Sequence, residues 1–373
     1  MEEIKDILFI TPTLHRTGSE LVLFHLIDGL DKKFKPSVIS IERGSLFNSL
    51  PPSVNKDYLV KDKSTGILRR IYKKFAFEKQ LASKLAKHKD QIWYVNTIVL
   101  PYVLKYAGKY NAKIIVHTHE LDHIFNLFDK ESKDLLINTP QLVIANSNTS
   151  ADVIRKHGYK GSLEVCYPFI NTKKYKFDKT KYDSIRSQLN ISHKNFVWLM
   201  CGTIDENKNP ELFIQLAEQF KSLRPEVKLI WLGDNIDDPA YRKVCLEKSK
   251  HLNNLIWIHE KGEAYINYMN CCDGFVLTSQ AESFSLVTLE AMALGKPLVV
   301  NDCGGVSEII NSEKIGTIIE TKNNLQQFIS SMLAIMDKKV IMETEKAIER
   351  SKVFDISISI SRWNSILKQY FGS

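Results

Sequence analysis

The chain has 373 residues, of which 44% are hydrophobic and 25% are charged, and its formal net charge is +8. This composition is that of a globular protein, and the length exceeds what one ordinary core organises, so we expect two domains. No apolar run approaches the ~18 residues of a membrane span, and the sequence opens with MEEIKD and not with a signal peptide, which favours a cytoplasmic protein. The six cysteines form no C-x-x-C pair, so we expect reduced, packed thiols rather than disulfides or a zinc site.

The first predicted unit is a strand, a loop and a helix. Apolar residues 7–10 predict a buried strand, and Gly18 opens a segment with apolar residues at helical spacing. A strand, a glycine-containing loop and a helix N-terminus are typical of nucleotide-binding α/β domains. Strands and helices then alternate along the rest of the chain, including a predicted helix over 102–110. This alternation predicts a second α/β domain after the first.

The segment from Lys61 to Asp90 carries ten Lys or Arg residues and three acidic residues, a local balance of +7. Apolar residues interleave with these charges, as in an amphipathic helix with a basic face. Two interpretations stay open. The face could hold the protein on anionic lipid at the inner side of a membrane, each basic residue contributing about 1 kcal/mol, or it could be an ordinary solvated helix face. Nucleic acid fits less well because no known binding motif accompanies the charge.

A predicted strand at residues 114–116 ends in a histidine-rich segment with His117, His119 and Glu120. Parallel sheets place ligand-contacting side chains just past the carboxyl ends of their strands, so His119 is a candidate ligand residue, whereas His117 suits packing at the strand end. A metal site that also uses His123 is another option, although no cysteine is nearby to complete it.

After a lysine-rich linker at residues 172–194, a new predicted strand ends at Gly202. The loop that follows leads to Pro210, which suits a first helical position, so the loop should deliver Lys208 to the start of a helix.

The stretch from Phe275 to Val300 carries two glutamates in one unit of strand, loop, helix and strand. The apolar spacing predicts a helix over 285–294, so Glu282 lies in the loop before its N-terminus and Glu290 lies one to two turns along it. Free backbone N–H groups at the positive end of a helix suit an anion such as a phosphate.

The pattern E-x-F-x-x-V-x-x-E-A-M-A-x-G-x-P-x-V-V, from Glu282 to Val300, resembles the signature of glycosyltransferase family 4, whose two glutamates have seven residues between them. These are retaining enzymes of the GT-B fold. The resemblance implies an α/β protein with two Rossmann-like domains facing across a cleft. It implies an acceptor domain over residues 1–170, a nucleotide-sugar-binding domain over 171–354, and a terminal helix at 355–373 that packs back onto the first domain.

The resemblance also implies the activity and the residues that carry it. A hexosyl residue would pass from a nucleotide diphosphate sugar to a hydroxyl of a carbohydrate or glycolipid acceptor, with retention, in surface polysaccharide or glycolipid assembly. No cofactor is implied, and no Asp-x-Asp pair suggests a metal-bridged diphosphate. Glu282 and His119 are the implied catalytic residues. The implied donor-binding residues are Gly18, Thr203, Lys208, Ser283, Phe284, Ser285, Leu286 and Glu290, with Lys208 on the diphosphate and Glu290 on the ribose.

The chain departs from the family pattern at the phosphate-binding residues. The family has Arg at position 203 and Gly at position 209, where this chain has Thr203 and Asn209, and it usually has Gly at Ser283. A threonine cannot replace the bidentate phosphate contact of an arginine. The substitutions support a second hypothesis, a non-catalytic GT-B protein that binds a glycan or a partner enzyme, and a nucleotide-sugar epimerase on the same fold is a third. Nothing in the sequence specifies the donor sugar, base, acceptor or linkage.

Overall fold

The computed structural model describes residues 4–59, 67–234, 238–260 and 264–372, without the side chains of residues 67–75. The chain divides into two compact units. Unit 1 comprises Met1–Pro168 together with Ser357–Ser373, and unit 2 comprises Phe169–Ile356. Within the described ranges, no helix is both long and apolar enough to cross a bilayer.

Unit 1 is built on a parallel sheet of seven strands in the order β3-β2-β1-β4-β5-β6-β7. The strands are β1 (Lys5–Thr11), β2 (Phe34–Ser40), β3 (Asn55–Tyr58), β4 (Ile92–Val95), β5 (Lys113–Thr118), β6 (Leu142–Ala145) and β7 (Ser162–Val165). Its central strands are apolar and buried along nearly their whole length, as expected when helices cover both faces of a parallel sheet. The strand order reverses between β1 and β4, which is where doubly wound sheets open a ligand-binding crevice.

The helices of unit 1 lie between these strands, except the last. They are α1 (Gly18–Asp28), α2 (Ile67–Leu85), α3 (Pro101–Leu104), α4 (Asp122–Asn126), α5 (Lys130–Asn138), α6 (Asn148–Lys156) and α15 (Ile356–Phe371). Helix α15 returns to the sheet of unit 1: the indole of Trp363 is fully buried and its Nε1 donates to Tyr94 Oη at 3.0 Å. Asn364 donates to the Gly29 carbonyl at 2.8 Å, which ties the same helix to the end of α1.

The helix expected in the basic segment forms as α2, with Leu81 and Leu85 buried. Residues 61–66 of that segment lie outside the described residues, and the basic side chains up to residue 75 do as well. Among the basic side chains of this segment that the structure describes, that of Lys84 forms an ion pair with Asp57 at 2.5 Å, so it helps to join α2 to β3.

Helix α3 is shorter than the helix expected over 102–110. After Leu104, the N–H groups of Tyr106 and Ala107 donate to carbonyls three residues back, as in turns. Gly108 follows, and a glycine disfavours helix by about 1 kcal/mol relative to alanine. The apolar spacing of the segment therefore did not suffice to continue the helix.

Unit 2 repeats the architecture with six parallel strands in the order β10-β9-β8-β11-β12-β13. The strands are β8 (Val197–Cys201), β9 (Lys228–Leu232), β10 (Leu255–Ile258), β11 (Gly274–Leu277), β12 (Leu298–Asn301) and β13 (Thr317–Ile319). The helices are α7 (Lys179–Gln188), α8 (Pro210–Leu223), α9 (Pro239–Ser249), α10 (Tyr265–Cys271), α11 (Leu286–Ala293), α12 (Val306–Ile309), α13 (Leu325–Met336) and α14 (Thr344–Lys352). The strand, helix and strand predicted over 275–300 are confirmed as β11, α11 and β12.

Candidate functional site

The candidate site of unit 2 lies at the carboxyl ends of β8 and β11, which are neighbours in the sheet. The strand order reverses at this pair, so the loops that follow the two strands diverge and leave room for a ligand. The loop at 202–209 after β8 carries Lys208, and the loop at 278–285 after β11 carries Glu282.

A third loop holds the backbone of Glu282 in place. The Glu282 N–H donates to the Cys303 carbonyl at 2.8 Å, and the Gly305 N–H donates to the Glu282 carbonyl at 2.8 Å. Gly304 has φ of 117°, and a Cβ at Gly305 would lie 1.9 Å from the Ser283 carbonyl oxygen. The two glycines are therefore required, one by its backbone conformation and one by the close approach of the loop.

Lys208 Nζ and a carboxylate oxygen of Glu282 form an ion pair. The two side chains are only 21% and 13% exposed, so water screens the pair less than a surface pair. Burial alone would lower the pKa of Lys208, but the charge and the hydrogen bond of Glu282 outweigh it and raise that pKa above its usual value. Lys208 thus stays a cation beside Glu282, for which the family resemblance implies a catalytic role.

Thr203 occupies the position of the family arginine and its hydroxyl donates to a carboxylate oxygen of Asp205. The other oxygen of Asp205 accepts the Lys208 N–H at 2.9 Å. Asp205 therefore shapes the loop that presents Lys208. At position 203, where the family has a guanidinium, this chain has a hydroxyl that donates to the Asp205 carboxylate.

Asn209, which replaces the family glycine, has φ of 54° and ψ of 60°, in the left-handed region. Asparagine tolerates this conformation better than most residues other than glycine. Its side chain caps α8 by accepting the Leu212 N–H at 3.2 Å and also donates to Asn323 at 3.0 Å. The substitution keeps the loop conformation and adds a helix cap.

The N-terminus of α11 directly follows the loop that carries Glu282. Ser285 is the N-cap residue but its side chain caps no N–H, and its hydroxyl accepts from Thr288 at 2.9 Å. Phe284 is buried and packs edge-on against Phe354, with ring centroids 5.4 Å apart. Ser283 and Leu286 flank this turn, so residues 283–286 form a backbone turn suited to an anion.

Glu290 is buried one turn further along α11 and contacts two tyrosines that the sequence analysis did not identify. Its Oε1 accepts from Tyr175 Oη at 2.6 Å and from Tyr265 Oη, and the two tyrosine oxygens are 2.7 Å apart. Oε2 is buried and has no hydrogen-bond partner among the described residues. Burial raises the pKa of Glu290 to about 7, and the tyrosine hydroxyls oppose that rise.

No sequence signal pointed to Tyr175 or Tyr265, which lie 115 and 25 residues before Glu290. They belong to the linker before α7 and to the start of α10, and neither is part of a recognisable spacing. Only the three-dimensional arrangement brings them together.

In unit 1, His119 and Glu120 follow β5. His119 is partly buried and its Nε2 lies 3.1 Å from Asn96 Oδ1, while burial lowers the pKa of His119 to about 4. The Glu120 carboxylate accepts the His119 N–H at 2.8 Å and the Thr97 hydroxyl. Burial raises the pKa of Glu120, and these hydrogen bonds oppose the rise. The imidazole is therefore neutral near pH 7 and Glu120 serves the local backbone.

His117 packs inside unit 1, as the sequence suggested. Its ring lies 4.1 Å from that of His119, and its Nδ1 is 2.7 Å from Tyr94 Oη. The indole of Trp363 can only donate, and it donates to Tyr94 Oη, so the tyrosine hydrogen is directed at His117 Nδ1. Gly18 is exposed and is the first residue of α1, directly after the loop that follows β1.

The described part of the chain contains no group of three His, Cys, Asp or Glu side chains that could hold a metal ion. His123 is exposed on α4, and it does not complete such a group with His117 and His119. All six cysteines are free, and five of them are buried.

Two family models match this chain. Residues 16–174 match Glycosyltransferase Family 4, and residues 181–353 match Glycosyl transferases group 1. Among curated proteins, the lipopolysaccharide 1,2-N-acetylglucosaminetransferase of Salmonella typhimurium is 25% identical over 269 residues, which is 70% of this chain and 66% of that protein. An Escherichia coli UDP-Gal:alpha-D-GlcNAc-diphosphoundecaprenol alpha-1,3-galactosyltransferase is 28% identical over 41% of this chain and 40% of its own length. The chain thus spans less than two thirds of these two relatives.

Solved structures share the fold along nearly the whole chain. Anabaena HepE, in complex with UDP and glucose, superposes with a TM-score of 0.82 at 20% identity, covering 97% of this chain and 99% of its own. WaaG, a glycosyltransferase involved in lipopolysaccharide biosynthesis, superposes with a TM-score of 0.73 at 14% identity over 96% and 99% of the two chains. These proteins confirm the expected GT-B fold. With both family models matched in succession, the chain belongs to glycosyltransferase family 4.

Proposed function

We propose that this chain is a retaining glycosyltransferase that moves a hexosyl residue from a nucleotide diphosphate sugar to a hydroxyl acceptor. One observation carries the proposal: three features lie together at the carboxyl edge of the second sheet. They are the buried carboxylate of Glu290, with one oxygen that accepts no hydrogen bond from a described residue, the ion pair of Lys208 with Glu282, and the N-terminus of α11, which has no side-chain cap. Each of these matches one part of the donor: Glu290 the ribose, Lys208 the diphosphate, and residues 283–286 the phosphate oxygens.

In the proposed reaction, the acceptor hydroxyl attacks the anomeric carbon from the face that the diphosphate leaves, and the leaving phosphate takes the hydroxyl proton. The C–O bond to the phosphate breaks as the new glycosidic bond forms. The main electrostatic task is to stabilise the charge that grows on the phosphate oxygens, which is the role of Lys208 and the amides of α11. Glu282 would stay an anion near the reacting carbon, where positive charge develops.

In unit 1, we assign His119 to the donor sugar and the loop at Gly18 to the diphosphate or the acceptor. The low pKa of His119 makes its imidazole a neutral hydrogen-bonding group under ordinary conditions, so it suits a sugar hydroxyl better than a phosphate. Both assignments rest on the family resemblance.

The substrates of related proteins suggest which compounds to test first. HepE was solved with UDP and with UDP-glucose, and the Escherichia coli relative uses a UDP-linked galactose and a diphosphoundecaprenol-linked acceptor. We therefore propose a UDP-linked hexose as donor and a lipid-linked saccharide or lipopolysaccharide precursor as acceptor. The basic helix α2 would hold the protein at the anionic cytoplasmic surface where such acceptors reside.

A second candidate is a non-catalytic glycan- or partner-binding protein. The observation that favours it is Thr203, since its hydroxyl is engaged by Asp205 where the family has a phosphate-binding arginine. Both candidates can retain nucleotide binding, but only the enzyme breaks the sugar–phosphate bond.

The two are separated by incubating the purified protein with UDP-glucose, UDP-galactose and the corresponding N-acetylhexosamines, with and without a lipid-linked saccharide, and measuring UDP release. UDP release that is lost in Glu282→Gln supports the enzyme. The matched control is Glu349→Gln, which alters an exposed glutamate that pairs with Lys352 on α14. Nucleotide binding without release or transfer by any donor would instead support the binding protein.

A further inference from the structure

The carboxyl oxygen Oε1 of Glu290 and the hydroxyl oxygens of Tyr175 and Tyr265 form a closed triangle of contacts. Oε1 lies within hydrogen-bond distance of both tyrosine hydroxyls, at 2.6 Å from Tyr175, and the hydroxyl oxygens of Tyr175 and Tyr265 are 2.7 Å apart. Each tyrosine supplies one hydrogen, so an ionised carboxylate leaves two hydrogens for three contacts. A protonated carboxyl supplies the third: Oε1 then donates to one tyrosine instead of accepting from it, and every oxygen of the triangle donates once and accepts once. The triangle therefore fits a protonated Glu290.

The other carboxyl oxygen of Glu290, Oε2, is buried and has no hydrogen-bond donor near it in the described part of the chain. A buried acceptor without a donor is costly, and the two adjacent hydroxyls of a ribose are donors that could satisfy it. Donors at Oε2 favour the ionised carboxylate, because hydrogen bonds to the charged form stabilise that form.

We propose that Tyr175 and Tyr265 are positioning residues of the donor site: they fill Oε1 of a buried, protonated Glu290 and leave its Oε2 to the hydroxyls of an incoming ribonucleotide. The inference rests on the proposed function. When the ribose hydroxyls reach Oε2, the carboxyl O–H bond breaks and the proton passes to solvent. Donor binding and proton release are thus coupled, and the favoured ligand has a 2′-hydroxyl.

The surroundings of Glu290 support a proton that moves near neutral pH. Burial raises the pKa of Glu290 to about 7, so both protonation forms are accessible there. The pKa values of Tyr175 and Tyr265 are raised by burial and by the Glu290 charge, so both hydroxyls keep their hydrogens. Cys201 on β8 also faces the carboxylate, and its pKa is raised to about 12, first by burial and then by the Glu290 charge.

Helices α12 and α14 pack against α11 and carry the other nearby charged residues. These are Glu308, Glu345, Lys346, Glu349, Arg350 and Lys352. Arg350 donates to the Glu308 and Ile309 carbonyls, and Lys346 and Lys352 pair with Glu343 and Glu349. In the described residues, the two tyrosines are therefore the groups bonded to the carboxyl.

The first test measures binding of UDP-glucose by calorimetry at pH 6, 7 and 8, in buffers of different ionisation enthalpy. A sugar diphosphate has no proton that titrates in this range, so any proton released comes from the protein. We expect release of a fraction of a proton near pH 7 and affinity about tenfold higher at pH 8 than at pH 6. Glu290→Gln should bind with neither effect. We also expect the 2′-deoxy analogue of UDP-glucose to bind about tenfold more weakly than UDP-glucose at pH 8.

The second test assigns the effect to the tyrosines. Their hydroxyls oppose the rise in the Glu290 pKa, so Tyr175→Phe and Tyr265→Phe should each move the midpoint of the pH dependence to higher pH. Tyr182→Phe is the matched control, because the Tyr182 hydroxyl donates to Asp273 and should leave the midpoint unchanged. A role in packing alone predicts no shift of the midpoint in any of the three variants.

Binding of UDP-glucose without proton release or pH dependence overturns the inference and leaves the proposed function intact. Failure to bind UDP-, GDP-, ADP- and dTDP-linked hexoses at pH 8 overturns the proposed function. In that case the inference is still tested on the ligand-free protein by infrared spectroscopy. A protonated-carboxyl band at pH 6 that Glu290→Gln removes supports a protonated Glu290, and its absence contradicts it.

Discussion

Lys208 and Glu282 lie 74 residues apart in the sequence, and their side chains form an ion pair at the carboxyl edge of the second sheet. The backbone of Lys208 is fixed on both sides, since its N–H donates to Asp205 at 2.9 Å and its carbonyl accepts the Thr278 hydroxyl at 2.7 Å. Thr278 immediately follows β11. The pair therefore links the loop after β8 to the loop after β11, and it balances the charge of a glutamate whose side chain is only 13% exposed.

Replacing this lysine tests the proposed phosphate contact. We expect Lys208→Met to lower kcat/KM for sugar transfer by roughly a hundredfold, equivalent to about 3 kcal/mol of transition-state stabilisation. The matched control is Lys221→Met, because Lys221 is an exposed lysine on α8 that donates to the His251 carbonyl. A folded Lys208→Met variant that transfers sugar as fast as the parent would contradict the assignment.

Restoring the family arginine should strengthen donor binding. Thr203 is exposed, so Thr203→Arg introduces no buried bulk, and a guanidinium can contact two phosphate oxygens at once. Asp205 would compete for the new cation, so the variant to measure beside it is Thr203→Arg with Asp205→Asn. We expect affinity for UDP, measured by calorimetry, to rise by about tenfold in the double variant and by less in the single one. Unchanged affinity in both variants would place the diphosphate away from position 203.

Asn209 offers a test of stability that is independent of activity. At φ of 54°, Asn209→Ala loses the cap on α8 and puts an alanine in the left-handed region, costing about 2 kcal/mol together. Asn209→Gly restores the family residue and loses only the cap, for a few tenths of a kcal/mol. Denaturant unfolding of both variants measures the difference. If alanine and glycine destabilise equally, backbone conformation is not what selects the residue here.

The sequence predicted the parts of the site that are local in the chain. Glu282 and Glu290 belong to one strand–loop–helix unit, so hydrophobic spacing alone located them on their elements. Tyr175 and Tyr265 could not be found in this way, because they reach Glu290 from separate segments and no spacing relates them to it. The pairing of Lys208 with Glu282 is equally non-local.

At two further places, tertiary contacts or neighbouring residues override what the local sequence predicts. The helix expected over 102–110 ends at Leu104, where turn hydrogen bonds and Gly108 replace the helical pattern. Asn209 appeared to be a loss relative to the family glycine, yet it keeps the left-handed conformation and caps α8. The effect of having Asn209 in place of the family glycine depends on the hydrogen bonds of its side chain, which only the structure shows.

The lowered pKa of His119 makes the free energy of unfolding depend on pH. Its pKa is lowered by burial from an ordinary 6.5 to about 4, so the unfolded chain binds this proton more tightly than the folded one. The stabilising contribution is complete above pH 6.5 and is lost progressively as the pH falls toward 4, by up to about 3 kcal/mol. Thermal unfolding of His119→Gln should therefore show a weaker loss of stability between pH 6.5 and 4 than the parent. His123→Gln, an exposed histidine on α4, should follow the parent curve, and identical curves for all three proteins would contradict the assignment.

Gly305 gives the sharpest steric test of how the loop that carries Glu282 is held. A Cβ there would lie 1.9 Å from the Ser283 carbonyl oxygen, a distance that only movement of the backbone next to Glu282 can relieve. We expect Gly305→Ala to destabilise the protein by about 1–3 kcal/mol and, because a displacement of about 1 Å can cost a hundredfold in rate, to lower transfer in the folded fraction by a similar factor. Gly108→Ala is the matched control, since no described atom lies within 4 Å of its added Cβ, and it should be neutral or slightly stabilising. Equal effects of the two substitutions on stability and on kcat would mean that the loop adapts, and that the position of Glu282 does not depend on this contact.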